Sequence, residues 1–146
     1  MITASIIPKE ERLTFYPCLT KQFRLLKRML HHFSGIYLED YYRKGGRYWE
    51  FVTLSNQGEF AYPVMDAPIT FHNPRNNTNE TFSQEATGIC IWLIALDACQ
   101  LVMLERNHFV EMGNFSYYQS LLMEYASKHS EWNSIARVIG SGIIRT

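Results

Sequence analysis

The stretch Thr87 to Leu104, TGICIWLIALDACQLVML, admits two opposed readings, and the choice between them decides the fold. It is 18 residues long and almost wholly apolar, so it is either a membrane span or the buried centre of a globular protein. Eighteen residues is the short limit for crossing a bilayer. Asp97 sits near the middle with Gln100 beside it, and a central aspartate costs roughly 2.5–3.5 kcal/mol on insertion scales. Both points favour a buried helix. A helix apolar all round its axis needs neighbours on every side.

Working outward from that helix, Ser83 is placed to cap its N-terminus. Upstream, Arg47 to Leu54 (RYWEFVTL) is aromatic and β-branched, as strands prefer. Ser55-Asn56-Gln57-Gly58 is a turn signal, and Glu59 to Val64 resumes a strand with Phe60 and Tyr62 on one face. These segments predict a hairpin, and Pro63 confines its second strand to an edge or a terminus. Ile69 to Phe71 reads as a third short strand and Thr81-Phe82 as a fourth, with His72 to Asn79 an exposed loop between them.

Helices flank this β region. From about Thr20 to Phe33, the residues Phe23, Leu26, Leu30 and Phe33 recur at helical spacing. Lys21, Arg24, Lys27, Arg28 and His31 fall on the opposite arc, and Gly35 is placed to end the helix. Downstream, Ser116 and Gln119 have capping-box spacing ahead of Leu121, Leu122 and Tyr125. A last short helix spans about Ser130 to Ile139, with Trp132, Ile135, Val138 and Ile139 inward, and ends at Gly140 and Gly142. Strands cluster rather than alternate with helices. The expected class is α+β: a single domain over residues 1–146, with a small antiparallel β-meander packed against about four helices.

Charge narrows the function classes. Fourteen basic residues balance fourteen acidic ones, so there is no net field to draw the chain onto nucleic acid or an anionic membrane. Nor is there the negative charge needed to imitate a DNA backbone. Residues 1–75 carry ten Lys/Arg and seven Asp/Glu, whereas residues 76–146 carry four and seven. Cys18, Cys90 and Cys99 are too few and too widely spaced for a disulfide framework and read as buried thiols in a reducing compartment. The opening MITASIIPKEER lacks the pattern of a secretory signal, so a cytoplasmic location is expected.

No phosphate-binding loop, dinucleotide fingerprint, nucleophile elbow or HExxH motif is present, so no catalytic residue and no cofactor is assigned. His31, His32, His72, His108 and His129 are scattered, and Cys90 and Cys99 project from opposite sides of one helix, so no metal site is expected. Glu39-Asp-Tyr-Tyr-Arg-Lys44 is either a solvated connection or, through Tyr41 and Tyr42, a contact for a partner. The basic arc of the first helix is either a solvated face or a phosphate contact. Asp97, a carboxylate among apolar neighbours, calls for a partner, with Arg137 or another basic side chain as the candidate. An enzymatic site around Asp97 is a further alternative.

Several blocks, in order along the chain, resemble the ArdB/KlcA family of antirestriction proteins. Pro8-Lys-Glu-Glu-Arg-Leu-Thr-Phe-Tyr-Pro17 is similar to the family's opening. Tyr48-Trp-Glu-Phe-Val-Thr-Leu-Ser-Asn56 resembles its central block, YWEFYTLSNGG. Tyr62-Pro63 sits where the family tends to have Ala-Pro, and Ser83 to Ile89, Tyr118 to His129 and Ile135 to Ile139 resemble further blocks. The chain departs from the pattern at three places. Arg47 intervenes before Tyr48-Trp49, Gln57 replaces a turn glycine, and Glu59 stands where an aromatic is usual. The resemblance implies an intracellular α+β protein that relieves type I restriction of incoming DNA. Its implied partner is the restriction enzyme complex or a host factor acting on it, met by binding rather than turnover. Tyr41, Tyr42, Tyr48, Trp49 and Asp97 are the candidate contact residues; direct DNA binding and a membrane partner are not expected. The alternative is a nucleic-acid-binding accessory protein that uses the basic face of the first helix.

Overall fold

A computed structural model describes residues 1–8 and 23–144. Lys21, Cys18 and the blocks read between Lys9 and Gln22 lie outside the described residues. The elements are β1 (Ala4–Ile6), α1 (Phe23–Tyr37), α2 (Glu39–Arg43), β2 (Tyr48–Leu54), β3 (Glu59–Val64), β4 (Ile69–Asn73), β5 (Thr78–Phe82), α3 (Gln84–Glu105), α4 (Phe109–Ala126), α5 (Trp132–Ile139) and α6 (Ser141–Ile144). This is an α+β fold, with the strands clustered ahead of the long helices.

The apolar stretch forms α3, and it is a core helix. Although long and apolar enough to cross a membrane, its most apolar 18-residue window is 67% buried inside the fold. Trp92, Leu93 and Leu96 are each at most 1% exposed. Ser83 Oγ accepts the Ala86 N–H at 3.1 Å, which caps the first turn as its sequence position predicts. Its C-terminus closes by a Schellman motif. His108 N–H reaches Met103 O at 2.8 Å, Asn107 N–H reaches Leu104 O at 3.1 Å, and Asn107 takes φ 59°. The chain then turns directly into α4, which packs along α3.

The expected hairpin is present, with Tyr48 opposite Val64 and Thr53 opposite Glu59. Its turn is closed by Gln57 N–H to Leu54 O and by Gly58 N–H to Asn56 Oδ1, both at 2.9 Å. The single meander expected from the sequence is instead two sheets, one of order β1-β2-β3 and one of β4-β5. Strand β1 was not legible in the pattern. It is three residues long, and its register of Ser5 opposite Thr53 is set by β2. The segment read as a loop from His72 to Asn79 is half strand and half turn. His72 pairs with Asn79 and Asn73 with Thr78, which leaves a four-residue tip.

Two helix ends differ from expectation. Helix α1 passes through Gly35 to Tyr37, because Tyr37 is 2% exposed and its ring packs on Phe33 and Phe71. That burial outweighs the weak helix preference of one exposed glycine. Helix α4 begins at Phe109 rather than near Ser116, so Ser116 and Gln119 form no capping box. Gln119 is buried and bonds inward, donating to Leu93 O and accepting from Gln100 Nε2. Helix α5 ends at Gly140, φ 86°, whereas Gly142 lies within α6.

The close seat of α3 on β3 depends on Gly88. A Cβ there would stand 2.3 Å from Ala61 O and 2.4 Å from Tyr62 Cβ. Gly88→Ala is therefore expected to lower stability by about 1–3 kcal/mol, the usual cost of overpacking, read as a reduced urea midpoint. Gln57 presents the opposite case, holding φ 78°, a left-handed conformation that glycine adopts freely. Gln57→Gly should leave stability unchanged or raise it by up to about 1 kcal/mol; a clear loss would contradict a strained turn.

Candidate functional site

The candidate contact residues fall into two places. Tyr41, Tyr42, Tyr48 and Trp49 meet at the junction of α2 and β2. Tyr41 is fully buried, and its hydroxyl donates to Tyr48 O at 2.9 Å. Its ring lies edge-on to Trp49 and to Tyr42, with centroids 6.3 and 5.0 Å away. Burial raises its hydroxyl pKa, with Tyr42 adding to the effect, so the phenol stays protonated. Gly46 is required here. A Cβ on Gly46 would lie 2.2 Å from the Tyr41 ring, so the chain can fold back over that ring only without a side chain. Tyr41 thus holds the corner from inside, whereas Tyr42 and Tyr48 are its exposed members, at 41% and 43%.

Asp97 lies elsewhere, half-buried in a cleft of about 390 Å³ bounded by Tyr37 of α1, Arg75 of the β4–β5 tip and Ile139 of α5. The expected basic partner is not Arg137. Arg137 is paired with Glu80 at 2.7 Å. Burial raises the Asp97 pKa, opposed by a hydrogen bond from Gln119 and by the charge of Arg75. Asn73 and Asn76 line the same cleft but are already committed. Their amides donate to Val138 O at 2.7 and 3.2 Å, and Asn76 also reaches Arg137 O at 3.2 Å. They satisfy carbonyls that the end of α5 leaves open.

A third cluster was not anticipated. Glu85 Oε1 accepts from Tyr125 Oη at 2.8 Å and lies 3.0 Å from His129 Nε2. His129 Nδ1 accepts the Glu131 backbone N–H at 3.0 Å, which places the ring proton on Nε2 facing Glu85. The His129 bond pulls the Glu85 pKa below its usual range despite burial. Glu131 in turn takes the Ser83 N–H at 3.0 Å and the Ser83 hydroxyl. Ser83 thus donates its hydroxyl to the Glu131 carboxylate while the same oxygen caps the first turn of α3. Its evident role is to tie the start of α3 to the α4–α5 connection. The spacing of Tyr125 and His129, four residues apart, was the only sequence signal for it.

Cys90 and Cys99 are buried and free, and burial pushes the Cys99 thiol up to about 12. Among the described residues no group of three His, Cys, Asp or Glu side chains could hold a metal ion.

The antirestriction protein family model matches residues 39–140, from α2 to the end of α5. The chain belongs to the antirestriction protein family. This antirestriction family member is 31% identical over 145 residues to the uncharacterized protein YafX of Escherichia coli strain K12, a match covering 94% of this chain and 88% of that one. To YfjX of the same strain, also uncharacterized, it is 29% identical with the same coverage. A solved structure of the KlcA and ArdB proteins shares its fold, with a TM-score of 0.71 over 95% of each chain at 24% identity. Those proteins show a novel fold and antirestriction activity against type I DNA restriction systems in vivo but not in vitro.

The departure at Glu59 places a carboxyl group in the core. Glu59 is 8% exposed, and its Oε2 has no hydrogen-bond partner among the described residues. Burial lifts its pKa from 4.5 to about 8. The folded protein therefore retains a proton that the unfolded chain loses, and the group's stabilising contribution fades as pH rises from 4.5 to 8. The slope from this one group is at most about 1.4 kcal/mol per pH unit. Glu85 and Glu80, whose pKa values are lowered, act below that window. Urea melts of the wild type and Glu59→Gln across pH 5–8 should diverge, with the variant flatter and more stable at the alkaline end. Parallel curves would show that Glu59 is ionised throughout.

Proposed function

We propose that this protein relieves type I restriction of incoming DNA, acting in the cytoplasm with residues 1–146 as one unit. It works by binding the restriction complex or a host factor acting on it, without turnover. The observation that carries this reading is membership of the antirestriction family through residues 39–140, joined to a fold shared with KlcA and ArdB. For those proteins, activity in vivo but not in vitro supports a role for a cellular component that the purified reaction lacks. The charge balance supports binding by shape and local chemistry rather than by imitation of DNA. Tyr42, Tyr48 and Trp49 supply an aromatic corner of the kind enriched at interfaces, Tyr41 supports it from beneath, and Asp97 supplies a separate carboxylate contact.

One observation favours a second reading. Arg24, Lys27, Arg28 and His31 all lie on the exposed side of α1, and this helix has no acidic residue. A nucleic-acid-binding accessory protein would use that face, and its binding would weaken steeply with salt.

Expression in a host with an active type I system should raise the plating efficiency of unmodified phage over an empty-vector control. Unchanged plating at confirmed expression of folded protein, across several type I families, would defeat the antirestriction reading. Protection that disappears when Arg24, Lys27 and Arg28 are changed together to Gln, along with salt-sensitive DNA binding, would transfer the function to the basic face.

A further inference from the structure

Ile94, Asp97, Leu101 and Leu104 follow one another along α3 at intervals of three, four and three residues. This is the spacing that keeps side chains on one seam of a coiled coil. The seam leaves the core along its length. Ile94 is 3% exposed and Asp97 half-buried, whereas Leu101 and Leu104 are 55% and 47% exposed. The first three line the cleft, whose apolar walls include Ile139 and Ile143. The stripe runs about 15 Å at the rise of an α-helix, enough for nearly three turns of a second helix. Two large leucines left in water on a mostly buried helix mark a surface shaped for a cover.

Asp97 specifies the chemistry of that cover. Among the described residues it has no salt bridge, and its contacts are the Gln119 amide and the more distant charge of exposed Arg75. A single polar residue in an apolar seam makes register and partner choice depend on what faces it. A carboxylate half out of water is matched by a basic side chain and repelled by an acidic one. We propose that Ile94, Asp97, Leu101 and Leu104 form a docking groove for an amphipathic helix of a partner protein. That helix presents apolar side chains at heptad spacing and one lysine or arginine to Asp97. The proposal rests on the reading that the protein acts by binding a protein partner, and it names the surface and the chemistry of that contact.

The probe is a pair of synthetic helical peptides of about three heptads, with leucines along the seam. One carries lysine at the position facing Asp97 and the other glutamate. Binding to the full chain is read by fluorescence anisotropy. The lysine peptide should bind at least about tenfold more tightly. Asp97→Lys should reverse the preference, and Leu104→Asp should abolish binding of both peptides while urea melts remain those of a folded protein. Should Leu104→Asp fail to fold, Leu101→Ser tests the same contact with a milder change. Equal affinity for the two peptides, or none for either, overturns the proposal. So does self-association lost in Leu104→Asp, which would make a second copy the occupant, or flotation with neutral lipid vesicles lost in that variant. A folded Leu104→Asp protein that still protects phage fully removes the groove and leaves the antirestriction reading intact. A wild type that binds the lysine peptide yet gives no protection does the reverse.

Discussion

Helix α3 has no polar side to give to water, so the elements that pack on it, above all α4, β3 and α1, are positioned by the need to cover it. The three-stranded sheet takes one flank, where Gly88 lets two backbones come within reach. Helices α1, α4 and α5 take others. Burying apolar area at roughly 25 cal/mol per Å² is what lets a chain without disulfides or metals among its described residues hold one arrangement. Polar groups are admitted to this core only with partners. Gln119 sits beside α3 and bonds to Leu93 O and Gln100. Among the described residues Glu59 is the exception, its Oε2 lacking a partner, and burial raises its pKa.

Periodicity and end signals were readable where local preference and tertiary burial agree. The hairpin from Tyr48 to Val64 and the limits of α3 emerge this way, since alternation, a serine cap and an all-apolar run point to the same result. They fail where tertiary contacts overrule local preference. Gly35 has the character of a helix end, but the packed rings of Phe33, Tyr37 and Phe71 carry α1 past it. Gly113 and Asn114 weaken the start of α4, yet the Schellman turn at Asn107 delivers the chain already in position to begin a helix. Asn107 was the available sign of that turn. Strand β1 left no trace in the pattern because three residues carry no alternation to read.

The candidate site was legible in its members more than in its geometry. Tyr41, Tyr42, Tyr48 and Trp49 do share a corner, but sequence could not tell which ring is buried beneath the others. Asp97 was conspicuous for its apolar neighbours, and its pKa is raised by burial as those neighbours imply. Its contacts are long-range: Arg75 and Gln119 come from a hairpin tip and another helix, and spacing along one helix says nothing of either. The Glu85–His129 pair, 44 residues apart, is illegible for the same reason.

Asn73 and Asn76 bind the tip of the small hairpin to the last carbonyls of α5, so two walls of the Asp97 cleft are fastened to each other as well as to the core. The consequence is preorganisation. A surface whose walls are already fixed has little conformational freedom left to surrender, and the entropy that loops lose on docking is mostly absent. An incoming helix then meets a rigid template, and discrimination between candidates rests on their own side chains instead of on the template's capacity to adjust.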